Sequence, residues 1–448
     1  MPSSRRGLVV GLLMLVTAIA FEAQAVGTAM PAAASDLHGL DLYAWAFTAF
    51  AIPQIVAIVL AGRLCDRIGP TLPAMAGLAL FGVGVTVAAL APTMPVLLAG
   101  RFVQGLGGGF VNVALMVLVG KLFEPAEQAA MMTWFSAAWM LPSFVGPGAA
   151  GWLTQTFSWH AVFWGILPIV VLGALMLFPP LLRADLRVQP SADAAPASVW
   201  GAVAVAAGLA VVQAAGQNLT PLSGGLMALG LVLVVVAAPR LMPVGYRPLA
   251  SGLPAVVNVR LLTGGSFFAQ QSFLPLMLVT LRGLTLVEAG AVITISSVGW
   301  MAGSWLQSRP WLRWRRDTIV LAGAASVAAG IGVIAVGTWW PSVWLWVVVA
   351  GATLAGVGMG LQSASTSVAV MLLSAPEQLG RNTSALQVGE AMGMSLLGGL
   401  AGTLYAFARG RGEELAAFGV PVTVLTAIAA TSVAFSRRIG PVRNHAAS

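Results

Sequence analysis

Gly62-Arg63-Leu64-Cys65-Asp66-Arg67-Ile68-Gly69-Pro70-Thr71 is a short charged turn set between two apolar runs, 40–61 and 71–91. A membrane-spanning helix needs about 20 mostly apolar residues, and each run reaches that length. The residues of the turn suit the job. Asp66 can cap a helix start and pair with a basic group. Gly69 permits a tight turn that a side chain would resist, and Gly62 lets two helices approach closely. Two apolar helices joined by a charged turn form the repeating unit of a polytopic membrane protein.

The pattern continues in both directions. Further runs lie near 7–30, 94–120, 131–154 and 161–180, which makes six with the first pair. A polar stretch follows, Arg183 to Ser198, with Asp185, Arg187 and Asp193. Two shorter apolar segments come next, 199–216 and 222–239, and then six more runs near 253–280, 286–307, 318–338, 342–373, 383–407 and 415–435. The expectation is an all-α integral membrane protein of about 14 transmembrane helices. Twelve spans with an embedded hairpin at 199–239 is the alternative. The division expected is 1–182, a central segment 183–250 with two extra helices, and 251–448. Composition agrees: 58% of residues are apolar and only 8% charged, against about a quarter charged in soluble domains. Arg5 and Arg6 before the first run and Ala23-Gln24-Ala25 within it resemble a processing signal. The run is long and contains Glu22, so it reads as a retained first span.

The net charge of +8 would suggest nucleic acid on a soluble protein, but placement decides here. Of the 22 Lys and Arg, only Arg282, Arg409 and Arg411 fall in loops opposite the N-terminus, and Arg101 falls inside a span. The rest, Lys121 and Arg260 included, fall on the N-terminal side. By the positive-inside rule both termini are cytoplasmic. Cys65 is the single cysteine, and His38, His160 and His445 are far apart in sequence, so no metal site is expected. No Gly-rich phosphate loop with its lysine and serine or threonine is present, so ATP is not expected to drive anything.

Three motifs carry a resemblance. The turn at 62–71 has glycine, three residues, aspartate, a basic residue, one residue and glycine, with Gly62, Asp66, Arg67 and Gly69 in place and Pro70-Thr71 where basic residues are usual. The fourth span holds Arg101-Phe-Val-Gln104-Gly105-Leu-Gly107, and the fifth holds Pro142-Ser-Phe-Val-Gly146-Pro147-Gly148-Ala-Ala-Gly151. These resemble the loop motif, the arginine-x-x-glutamine-glycine motif and the exporter glycine-proline motif of the major facilitator superfamily. Later stretches, Phe273 to Gly290 and Asn382 to Gly393, resemble fourteen-span drug:proton antiporters, with Glu390 at a position more often small. The resemblance implies two six-helix bundles plus two extra central helices, a gating role for the 62–71 turn, a kink at Gly146, Pro147 and Gly151, and a substrate site near the bilayer midplane. It also implies a bacterial inner-membrane location.

Acidic residues within spans are rare. Glu22 lies deep in the first span and Glu390 about two turns into the penultimate one. Burial penalises the charged form of a carboxylate, so either could take up a proton on one side of the membrane and release it on the other. Arg101, Gln104, Asn112 and Gln387 are candidates to assist or to bind substrate. An arginine in a span costs about 2.5–3.5 kcal/mol on insertion scales, so it is seldom there without a reason. The expected function is proton-coupled export of hydrophobic or amphipathic small molecules, multidrug-like. It is driven by the proton gradient without a cofactor, in a monomer whose partners are substrate, protons and lipid. A lipid or lipid-conjugate exporter, or a facilitator or importer of a small nutrient, is the alternative. No nucleophile–base constellation suggests an enzyme.

Overall fold

The computed structural model describes residues 3–123, 125–183, 198–216, 220–309, 311–312, 314–374 and 378–442. Asp185, Arg187, Asp193 and His445 lie outside the described residues, as does the side chain of Asp66. No strand occurs among the described residues.

The first six helices are α1 (Ser3–Asp36), α2 (Trp45–Ile68), α3 (Thr71–Ala89), α4 (Met94–Leu122), α5 (Pro125–Thr156) and α6 (His160–Arg183). Next come α7 (Val199–Gly216) and α8 (Pro221–Ala237). The last group is α9 (Leu253–Val259), α10 (Gly265–Arg282), α11 (Leu286–Gln307), α12 (Arg316–Trp339), α13 (Leu345–Leu373), α14 (Leu379–Arg409) and α15 (Glu414–Ser436). A π-helical turn, Arg260–Gly264, joins α9 to α10 without interrupting the run. Twelve helices among the described residues are long and apolar enough to cross a membrane. The 32-residue α5 and the α9–α10 run bring the count to the fourteen expected. Lipid offers no hydrogen bonds, so a spanning segment must satisfy its own backbone, and only helices or closed barrels do so.

Helix ends follow local chemistry. Gly69 stops α2 at φ +83°, where its N–H reaches Cys65 O at 3.1 Å. Gly283 ends α10 in the left-handed conformation, φ +64°, a helix-stop position that favours glycine. Thr220 caps α8 in a reciprocal box with Ser223. The outward faces are apolar: Leu222, Leu229, Val232, Val235 and Val236 on α8 are all exposed. In water such a face would be a liability; in lipid it is an ordinary surface.

Contacts divide the chain into two units, residues 1–199 with 286–290 and residues 200–285 with 291–448. Within the first unit, α2 and α3 both pack on α4, and α1 lies against α5 and α6. Within the second, α12 packs on α13 and α15, and α14 on α15 and α10. The α7 helix joins α14, where Gly216 faces Thr403 and Gly399 faces Gln213.

Close approach between helices rests on glycine. A Cβ placed on Gly107 of α4 would lie 2.6 Å from Gly77 O of α3, and one on Gly100 would lie 2.7 Å from Ala88 N. In the second unit a Cβ on Gly358 of α13 would lie 2.6 Å from Gly323 O of α12, and one on Gly330 of α12 would lie 2.6 Å from Gly351 O of α13. Between lipid-embedded helices, backbone proximity and dispersion replace the hydrophobic drive that water would supply. The same device thus builds α3–α4 and α12–α13. Gly62 is different: a Cβ there meets nothing within 4 Å among the described residues. Among the described residues, the close helix approach expected of Gly62 is not made.

Candidate functional site

The 3.6-residue period puts Arg101 and Gln104 on one face of α4. Gly105, the next residue, lets α2 close on that face, because a Cβ there would sit 2.8 Å from Pro53 Cγ and overlap the backbone of Phe50. Arg101 is therefore enclosed. Its Nη1 donates to Glu22 Oε1 of α1 and, at 3.0 Å, to Gln104 Oε1, while its Nε donates to Ala46 O of α2 at 2.9 Å. The Phe50 ring lies 4.7 Å from its guanidinium carbon, a cation–π contact that adds to the enclosure. The Arg101 and Glu22 side chains are 5% and 1% exposed. So two charges predicted separately from sequence form one buried ion pair joining α1 to α4, with α2 as the third wall.

The glycine-proline stretch of α5 packs on the same turn of α1. A Cβ on Gly146 would lie 3.4 Å from Gln24 Cβ and 3.7 Å from Phe21 Cδ2. Gln24 Nε2 donates to Ser143 Oγ of α5 at 3.3 Å. Pro142 and Pro147 lie within α5, each removing a backbone donor from the helix. Gly146, Pro147 and Gly151 are buried. Asn112 is not part of this cluster: it is exposed and sits eleven residues beyond Arg101, about 16 Å along the helix. In the 62–71 turn Arg67 is exposed, while Gly69 and Pro70 are buried.

A second ion pair lies in the second unit. Arg260 Nη2 donates to Glu390 Oε2 of α14 at 2.9 Å, and the two side chains are 12% and 18% exposed. Arg260 Nη1 donates to Ser363 O at 2.7 Å, Ser363 Oγ at 2.6 Å and Thr366 Oγ1 at 3.2 Å, all on α13. Arg260 opens the π turn, an irregularity that recurs at functional positions. Gly393 of α14 tucks against this turn, where a Cβ would lie 2.9 Å from the Leu261 carbonyl carbon. Gln387, one turn before Glu390, is half-buried. Arg260 corrects an expectation. Counted among the cytoplasmic loop charges, it is turned into the helix bundle to meet Glu390. Its place seven residues after Leu253, inside an apolar run, and the hydroxyl-rich Ser363-Ala-Ser-Thr366 of α13 were the signals available in the sequence.

Elsewhere in the second unit a narrow cavity is lined by Gln270, Phe273, Met277, Ile334, Phe418 and Pro421. Gln270 Oε1 there is buried without a partner among the described residues. In the segment before α9, Tyr246 Oη donates to Asn258 Oδ1 of α9 at 2.6 Å and Asn258 Nδ2 donates back to Pro248 O at 2.6 Å. Burial pushes the Tyr246 phenol above its usual range, with the Asn258 bond acting in the opposite direction.

The family model described as Major Facilitator Superfamily matches residues 10–398. The chain is 26% identical over 441 residues to a multidrug efflux pump of Staphylococcus aureus, covering 95% of this chain and 94% of that one. It is 27% identical over 424 residues to a probable multidrug-efflux transporter of Mycobacterium tuberculosis, covering 90% and 88%. A multidrug transporter protein of Bacillus subtilis is 29% identical over 175 residues, which span 39% of this chain and about a third of that relative, 32%. Among solved structures, a POT family transporter superposes with a TM-score of 0.70 at 15% identity over 97% of both chains. At that identity the likeness speaks for the fold alone.

Proposed function

The chain belongs to the Major Facilitator Superfamily, and we propose that within it the protein is a proton-coupled exporter of hydrophobic or amphipathic small molecules, multidrug-like in range. One observation carries this reading: the buried Glu22–Arg101 pair, set against the proline-kinked α5. The enclosed Glu22 carboxylate meets the Arg101 guanidinium there. When a proton neutralises Glu22, that contact loses its charge and α1 is released from α4. When the proton leaves, the contact re-forms. Proton occupancy thereby biases one packing of α1 over another, which is what a ligand must do to drive an alternation.

Glu22 is the coupling carboxylate, Arg101 holds it, and Gln104 orients Arg101. Glu390 and Gln387 are the corresponding candidates of the second unit, and Asn112 is a candidate substrate contact. The 62–71 turn acts as a gate and α5 as the hinge of export. Efflux relatives at 26–27% identity over most of the chain support the direction and class of cargo. The protein resides in a bacterial inner membrane with both termini cytoplasmic, as the Lys/Arg bias supports. It works as a monomer without a cofactor, and its boundaries of function follow 1–182, 183–250 and 251–448.

The test is uptake of ethidium in proteoliposomes under an imposed pH gradient, parent against Glu22→Gln. Gradient-driven movement in the parent that disappears in the variant is expected. Equal movement in both removes Glu22 from the coupling. No movement in folded parent protein overturns the multidrug reading and favours a lipid or other narrow substrate.

A further inference from the structure

We infer that Arg260 is a positioning residue for a second exchangeable proton on Glu390, so that two protons cross per transport cycle, one through each unit. This rests on the proton-coupled reading above and extends it to stoichiometry.

The geometry is asymmetric in an informative way. Arg260 is a fixed cation: three bonds tie its Nη1 to Ser363 and Thr366 on α13, whatever Glu390 does. Glu390 is tied by one bond, through Oε2. Its Oε1 lies over Gly264, where a Cβ would come within 3.4 Å of it. No hydrogen bond to that oxygen is made among the described residues. An arginine anchored on one helix and a carboxylate unbonded on its other oxygen make a site where a proton can arrive without dismantling the cation's support.

Among the described residues of the elements packed around it, no other charge competes. Neither α9 nor α13 carries a further charged residue, α10 has only Arg282 and α15 only Glu414, both in terminal turns. Arg282 donates to Gly337 O and Val343 O. On α12, Arg316 donates to Gln307 and Asp317 accepts from Arg315. On α14 itself, Arg381 reaches Met242 O, and Arg409 lies in the last turn.

In the proposed step the Glu390 carboxylate binds a proton from one aqueous side and its Oε2 bond to Arg260 loses the charge. Arg260 stays protonated on its α13 acceptors. Release of the proton to the other side restores the ion pair. The proton is the only species exchanged at this site. Exchange of one monovalent cation for two protons moves one net charge, whereas exchange for one proton moves none.

The experiment uses the full chain in proteoliposomes with ethidium, a monovalent cation, driven either by a pH gradient or by a potassium–valinomycin potential at equal pH. The parent is expected to respond to both. Glu390→Gln is expected to lose at least tenfold of the potential-driven rate and a smaller share of the pH-driven rate. Arg260→Gln should behave as Glu390→Gln does, and Arg260→Lys should recover part of the potential-driven rate. Potential-driven movement unchanged in Glu390→Gln overturns the inference and leaves the Glu22 reading standing. So does a parent driven by pH alone, or an Arg260→Gln variant slowed equally under both gradients. A parent that moves ethidium under neither gradient overturns both.

Discussion

Removing Glu22 while keeping Arg101 should destabilise the first unit by an amount that the geometry bounds. Breaking a buried ion pair by deleting one partner costs about 3–5 kcal/mol, because it strands the other charge. Arg101 would keep its bonds to Gln104 Oε1 and Ala46 O and its place over Phe50. Those neutral partners hold the loss in Glu22→Ala near the low end, about 3 kcal/mol. If the unit melts cooperatively, that corresponds to a drop on the order of 6–12 °C, taking about 2–4 °C per kcal/mol for a piece of this size. Arg101→Met should cost less, since an unpaired carboxylic acid sheds its charge by binding a proton and a guanidinium has no such escape. The double variant Glu22→Ala/Arg101→Met removes both charges and leaves the Gln104 amide and Ala46 O without their Arg101 donor, a cost of about 1–3 kcal/mol. It should therefore melt above Glu22→Ala. Cys65, the single cysteine, is buried near the end of α2. A maleimide dye that fluoresces on reaction reports the opening of this unit without any introduced label. Additive losses, with the double variant as unstable as the two singles summed, would refute the pairing.

Two further perturbations probe packing and the linker. Gly107→Val drives a side chain into Gly77 O and Phe81 and should cost about 1–3 kcal/mol of overpacking, read as a lower Cys65 melt. Gly82→Ala, whose Cβ meets nothing among the described residues, should be neutral or gain up to about 1 kcal/mol of helix propensity. For Tyr246, burial raises the folded phenol above its usual value of 10.0. The fold thus binds the proton more tightly than the unfolded chain does. Its contribution is complete below pH 10 and is lost as pH rises through the folded value. Tyr246→Phe should abolish that alkaline loss and cost about 1 kcal/mol at neutral pH through the missing Asn258 bond; a melt against pH from 8 to 11.5 decides it.

The helices were legible because a lipid-embedded segment announces itself by length and apolarity, and because Gly69 and Gly283 punctuate as their left-handed backbones require. The Arg101–Gln104 face was legible for the same periodic reason. Its pairing with Glu22 was not, since 79 positions separate the two and nothing local says which helix neighbours which. Arg260 was misplaced because a charge census sorts arginines by nearness to a span end. It cannot tell one that reaches outward from one rotated inward by a π turn. The expectation at Gly62 met a related difficulty: a glycine in a helix signals closeness only where a neighbour arrives, and among the described residues α2 meets α4 at Gly105 and Gly109 of α4 instead.

The glycine contacts of α3 with α4 and of α12 with α13 have a mechanical corollary. Where backbone meets backbone there are no rotamers to exchange, so those pairs behave as stiff planks with almost no internal give. Compliance is left to the segments built otherwise: α5 with its two prolines, α1 with Pro31, and the run that softens at the Arg260–Gly264 turn. Each ion pair has one partner on these compliant elements, Glu22 on α1 and Arg260 on the π turn. A designer seeking to alter cargo or speed should therefore find the planks intolerant of almost any change, and the bendable helices the place where variation is cheap.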